Sequence, residues 1–189
     1  MGIVSLFISS ILVQNIVLTR FLGICPFVGV SNKEKSAIGM GAAVMFVVTI
    51  SGIITYFINQ LILIPTETTY LRTIVFVLVI ASFVQLTEII IKRFFPVLYE
   101  LLGIYLPLIT SNCAVLGIIL INVFSNYNLI ETIIYSIGSS VGFVLVIYIF
   151  STIRERLEEA PIIKSFQGYP IALITAGIMA LIFSRYIGY

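Results

Sequence analysis

The chain has no histidine, only two cysteines, and just 10 lysines and arginines with 8 aspartates and glutamates in 189 residues. The absence of histidine removes the commonest general base at neutral pH and excludes a Cys/His zinc site within the chain. There is no phosphate-binding glycine loop and no pair of carboxylates in a plausible pocket, so nothing supports a hydrolytic or group-transfer centre. A net charge of +2 without a basic cluster gives no surface for nucleic acid. Charged residues make up 10% of the chain, against roughly 25% in an ordinary soluble domain. That is too little polar sequence to cover a water-facing surface.

What is present is hydrophobic, at 60% of the residues. Six apolar segments can be drawn, at about 3–24, 36–64, 71–91, 97–124, 130–153 and 169–188. Several approach or exceed the roughly 20 apolar residues that a helix needs to cross a bilayer. The alternating pattern of a β-barrel is missing, and lipid tolerates no open sheet edge, so the spans are expected to be helices. The expected fold is an all-α membrane protein with six transmembrane helices in one integral-membrane domain over residues 1–189. The opening Met1-Gly2-Ile3-Val4-Ser5 has no positive n-region or clear cleavage site, so the first segment is expected to be a span.

Lys33, Lys35, Lys92, Arg93, Arg154, Arg156 and Lys164 fall in alternate connections, while the opposite side has Arg72 and Arg185. Arg20 sits near the same membrane face as the larger group. Seven basic residues against two is a positive-inside bias that places both termini outside the cytoplasm.

The two cysteines stand at related places. Cys25 lies in Leu22-Gly23-Ile24-Cys25-Pro26-Phe27-Val28-Gly29, and Cys113 in Thr110-Ser111-Asn112-Cys113-Ala114-Val115-Leu116-Gly117. Both are in Cys-x-x-x-Gly, one in the first apolar segment and one in the fourth, with two spans following each. The chain therefore divides into three-span halves, about 1–95 and 96–189. An odd number of spans per half makes the second enter the membrane the other way round, as in an inverted repeat, whose sites lie at discontinuous helices. Both cysteine-bearing segments are expected to be broken. The first holds Gln14, Asn15, Thr19, Arg20, Gly23 and Pro26, and the fourth holds Gly103, Pro107, Thr110, Ser111 and Asn112.

Read from residues alone, the thiols are either two core side chains, an isolated bridge, or ligands of a soft metal or iron–sulfur cluster. A [2Fe–2S] cluster normally takes four cysteines, so one here would be shared with a second protein chain. Arg20 either snorkels to the interface or stabilises a reduced centre. Glu88 either pairs with Lys92 at i,i+4 or helps a cation enter or leave. Asn15 and Asn112 are expected to donate interhelical hydrogen bonds. Gly39, Gly41, Ala42 and Ala43, with Ala172, Ala176 and Ala180, are read as close-packing positions. Arg154 and Glu158 are read as an ion pair on a solvated helix end. From these residues, three roles remain open: an electron relay, a small secondary transporter or channel, and a purely structural component of a larger assembly.

Phe21-Leu22-Gly23-Ile24-Cys25-Pro26-Phe27, Leu71-Arg72-Thr73, the run from Gly103 to Gly117, Ile153-Arg154-Glu155-Arg156-Leu157 and Ala172-Leu173-Ile174-Thr175-Ala176-Gly177 resemble the A-type subunits of Rnf electron-transport complexes. The Asn-Cys-Ala element is also similar to that of the D-type and E-type subunits of the sodium-translocating NADH:quinone reductase. The resemblance covers essentially the whole chain. It implies a component of a prokaryotic inner-membrane complex that moves electrons between ferredoxin and NAD and couples this to Na+ or H+ transport. It further implies pairing with a homologous E-type subunit in opposite orientation. Between the two would lie a [2Fe–2S] cluster with Cys25 and Cys113 among its ligands. Amides near Gly23, Gly29, Asn112 and Gly117 are then candidates for hydrogen bonds to sulfur. No Rossmann fingerprint or flavin-attachment motif is present, so ferredoxin, NAD and flavin sites are expected on other chains.

Overall fold

The computed structural model describes residues 2–12, 15–25, 29, 34–64, 71–94, 112–158, 161 and 166–187, with the side chains of 34–36, 87–88, 90–92, 94, 158 and 184–187 outside that description. Every regular element among these residues is helical, as the long apolar runs require. In chain order they are α1 (Ile3–Leu12), α2 (Ile16–Arg20), α3 (Glu34–Ile58), α4 (Arg72–Phe94), α5 (Cys113–Phe124), α6 (Leu129–Glu158) and α7 (Tyr169–Ile187). A π-helical turn, Asn59–Leu63, continues α3. Stretches Ala37–Leu63 and Leu129–Leu157 are long and apolar enough to cross a membrane. Four of the expected segments thus match α3 with its π turn, α4, α6 and α7 to within a few residues. The first is split in two. Of the fourth, only α5 and its cap fall among the described residues.

The long helices α3 and α6 form the centre, packing against each other along much of their length. Met40, Val44 and Val48 of α3 and Phe143, Val146, Ile147 and Phe150 of α6 are completely buried there. Around this pair the contacts cross over. α1 packs on α6 and α5 on α3, while α7 meets α2 and α4 meets α5.

Small residues set the closest approaches. A Cβ on Gly41 would lie 2.7 Å from Val144 Cγ2, and one on Gly142 2.8 Å from the Ile11 carbonyl oxygen. The first bears out the close-packing reading of Gly41. The second belongs to a seam between α1 and α6, where a Cβ on Gly138 would collide with Ser10. Its signal is present in the sequence as Gly138-x-x-x-Gly142, the spacing that lets two helices touch backbone to backbone. Ala172 and Ala180 are buried and Ala176 is partly so, giving α7 its inward face.

The outer faces are apolar. Ile74, Val77, Leu78, Leu86 and Ile89 of α4 and Leu173, Ile174, Ile178, Leu181 and Ile182 of α7 are exposed. Continuous apolar surface of this extent suits hydrocarbon and not water.

Arg154 differs from expectation. It is only 6% exposed and its guanidinium lies 5.7 Å from the Tyr169 ring centroid. The aromatic face attracts the cation, so this contact links α6 to the first residue of α7. The Glu158 side chain lies outside the described residues.

Candidate functional site

In each cysteine-bearing segment an asparagine starts a helix. Asn15 is extended, with φ −63° and ψ 112°, and its Oδ1 accepts from Val17 N–H at 3.2 Å. Asn112 is extended in the same way, with φ −71° and ψ 110°, and its Oδ1 accepts from Ala114 N–H at 3.0 Å. Each side chain thus satisfies an amide that the start of a helix leaves without a partner. The break between α1 and α2 has no proline in it. Pro26, Gly103 and Pro107 lie outside the described residues.

The second amide atom separates the two. Asn15 Nδ2 donates to the Gly142 carbonyl on α6 at 2.9 Å, the interhelical bond expected of it. Asn112 Nδ2 is buried and has no hydrogen-bond partner among the described residues. The interhelical bond expected of it is not found among the described residues.

After five residues α2 stops. Phe21 takes the left-handed conformation with φ 54°, and Leu22 N–H returns to the Ile16 carbonyl at 3.3 Å. Gly23 follows with φ +86°. Two constraints converge on it, because a Cβ there would also sit 3.0 Å from Ala114 Cβ and 3.1 Å from the Phe143 ring. Only glycine supplies both the left-handed backbone and the clearance.

This turn brings the two cysteine regions together. Gly23 N–H donates to Cys113 Sγ at 3.1 Å, with Cys25 two residues further on. Cys113 is half-buried as the first residue of α5, while Cys25 is exposed, and both thiols are free.

The other expected site residues fall as follows. Gly117 lies inside α5, where its amide points along the helix. Its missing side chain admits Ile16 and Leu22, to which a Cβ would be 3.2 and 3.3 Å away. Arg20 ends α2 and is exposed. Gly29 is exposed and takes no part in the turn that joins Gly23 to Cys113. Glu88 lies on α4, and its side chain is outside the described residues, as is that of Lys92.

The thiols fit half of a four-thiolate cluster site. They stand free at one end of α5, one of them exposed, and one already accepts an amide of the kind that stabilises negative charge on sulfur. No group of three or more His, Cys, Asp or Glu that could hold a metal is present among the described residues. Two thiols must therefore be matched by two from outside the chain for such a cluster to be held.

A model of the Rnf-Nqr subunit membrane-protein family matches residues 3–188. The chain belongs to the Rnf-Nqr subunit family. Among its relatives is the A-type subunit of the Na(+)-translocating ferredoxin:NAD(+) oxidoreductase complex of Acetobacterium woodii, 53% identical over 188 residues, which cover 100% of this chain and 98% of the relative. The A-type subunit of the ion-translocating oxidoreductase complex of Actinobacillus pleuropneumoniae is 53% identical over 183 residues, with 97% and 95% covered. That of Sodalis glossinidius is 50% identical over 187 residues, with 99% and 97% covered. Membership of the Rnf-Nqr family makes this a membrane protein, in keeping with the apolar outer faces of α4 and α7.

Sequence reading missed a second polar region. At the far end of α3, Gly52, Thr55, Tyr56, Asn59 and Gln60 line a cavity of about 100 Å³ together with Asn122, Asn126, Tyr127, Asn128 and Thr132. The signal was the spacing of Gly52, Thr55, Tyr56, Asn59 and Gln60, which puts small and polar residues on one face of an otherwise apolar helix.

Proposed function

We propose that this chain is the A-type membrane component of an ion-translocating ferredoxin:NAD oxidoreductase, in which it forms half of an intramembrane electron relay. Cys25 and Cys113 supply two thiolates, and a homologous E-type subunit in opposite orientation supplies the other two. The observation that carries this reading is the Gly23 N–H bond to Cys113 Sγ, which joins the two cysteine segments at one spot. When bound, a [2Fe–2S] cluster there supplies one-electron transfer. The chain's own part is to hold both sulfurs at the end of α5 and to stabilise negative charge on them. The Gly23 amide and the start of α5 do this directly, and Arg20 adds a positive charge at the end of α2.

The crossed contacts, α1 with α6 and α5 with α3, then α7 with α2 and α4 with α5, support two inverted three-helix repeats. Each of these four crossed contacts has its counterpart when the halves are exchanged. The matched caps at Asn15 and Asn112 support the same reading. They set the register on the asparagines, which the Cys-x-x-x-Gly echo does not. Both termini would lie outside the cytoplasm of a prokaryotic inner membrane, with ferredoxin and NAD handled by other chains of the complex. Negative charge arriving at membrane depth attracts a cation, Na+ or H+, and biases which side of the repeat is open. Ion uptake that ignores the redox state of the complex would rule this coupling out.

The test is low-temperature EPR with iron quantification on the purified complex, comparing wild type with Cys25→Ser and Cys113→Ser. The expected result is loss of a [2Fe–2S] signal in both variants with assembly intact. Unchanged signal and iron would make both thiols ordinary side chains and favour a transporter or channel component without a redox centre.

A further inference from the structure

The cavity at the end of α3 has three buried oxygens without hydrogen-bond partners among the described residues. They are Asn59 Oδ1, Asn122 Oδ1 and Thr132 Oγ1, and all three residues line the same space. Asn122 and Thr132 are only 3% and 2% exposed. A buried acceptor left unpaired is costly, and one such group in a protein calls for an explanation. Three converging on one cavity call for a shared one.

Their chemistry narrows it. Two are amide carbonyl oxygens, which accept and cannot donate. Asn122 has its amide nitrogen engaged already, donating to Ser136 Oγ at 3.0 Å, which leaves its oxygen as the unpartnered end. Neighbouring groups are spoken for. Thr55 Oγ1 donates to the Ser51 carbonyl at 2.6 Å, and Tyr127 N–H to the Asn122 carbonyl at 3.2 Å. Among the described residues that line the space there is no carboxylate. Glu131 stands beside it in the chain, with its carboxylate accepting from Asn128 N–H at 3.0 Å. The lining also includes the first residues of the π turn, Asn59 and Gln60, a distortion that recurs at functional sites.

We propose that this cavity is a binding site for a hard monovalent cation of sodium size, held by Asn59 Oδ1, Asn122 Oδ1 and Thr132 Oγ1 with water completing the shell. Oxygen ligands select a hard ion, and these three are neutral, which suits a monovalent ion better than a divalent one, whose dehydration charged ligands would have to offset. The volume has room for the ion and several waters. The site is separate from the cysteines. Asn122 is nine residues from Cys113 on α5, roughly 14 Å along the helix axis. The proposal therefore stands whether or not the thiols hold a cluster.

The test is equilibrium binding of radioactive sodium to the purified complex, with thallium density sought in crystals of the wild-type complex. Thr132→Val, which keeps the shape and removes the oxygen, and Asn122→Leu should each remove one bound sodium per complex or weaken it at least tenfold. Ser51→Ala removes another unpartnered buried hydroxyl that does not line the cavity, and should leave binding unchanged. Thallium in the cavity supports the assignment even if a variant fails to assemble. An empty or water-filled cavity overturns it. So does unchanged sodium binding in both assembled variants, since the ion would then be held by other atoms.

Discussion

Asn15 and Asn112 begin helices in nearly the same conformation and cap them through the same atom, yet their amide nitrogens have different fates. Asn15 uses Nδ2 to tie the first half to α6 through Gly142, whereas Asn112 keeps a buried Nδ2 without a partner among the described residues. Asn15 thus closes a packing seam. Asn112 leaves a donor at the spot where Cys113 begins its helix. The same device serves packing in the first half, while in the second its amide nitrogen has no partner among the described residues.

Gly23 connects these two regions, and Gly23→Ala should have the largest effect. It forces a side chain into a left-handed turn and against Ala114 and Phe143, for a loss of about 2–4 kcal/mol. A lowered denaturation midpoint of the purified complex measures it, and a midpoint within error of wild type would show that the turn can rearrange. Gly142→Ala should follow at about 1–3 kcal/mol, because the new methyl meets the Ile11 carbonyl and Asn15 Nδ2.

The asparagines themselves should separate under an identical substitution. Serine keeps the cap but has no second arm. Asn112→Ser should change stability by only a few tenths of a kcal/mol, since serine and asparagine are near equals as caps. Asn15→Ser should be worse by about 1 kcal/mol, the usual net value of a lost hydrogen bond. Equal midpoints for the two would remove the contrast. Gly117→Ala should also be small, at about 1 kcal/mol or less in either direction. The added methyl presses on flexible ends of Ile16 and Leu22, while alanine gains up to about 1 kcal/mol in helix propensity.

Much of the fold was legible in the chain because a bilayer imposes its own period and length. Segments 36–64 and 130–153 became α3 with its π turn and α6 almost unchanged. The break in the first span was legible in kind, from polar residues amid apolar ones. Its position at Asn15 was not, because capping depends on which backbone amides are left unpaired once the neighbouring helices have packed. Arg154 was misplaced for a related reason. Charge patterning describes an isolated helix, and the Tyr169 ring that covers this guanidinium arrives from α7. The cysteines stood out by rarity and position, but the bond from Gly23 to Cys113 spans the two halves and required the turn after α2.

Composition alone was enough to place this chain in a membrane as a set of helices, since a chain with so few charges has neither a surface for water nor an alternative way to satisfy its backbone in lipid. Tertiary packing was needed to bring Gly23 to Cys113 and to gather Asn59, Asn122 and Thr132 around one cavity. Local pattern has no means of specifying which polar atoms will face each other, because that follows from how whole helices cross.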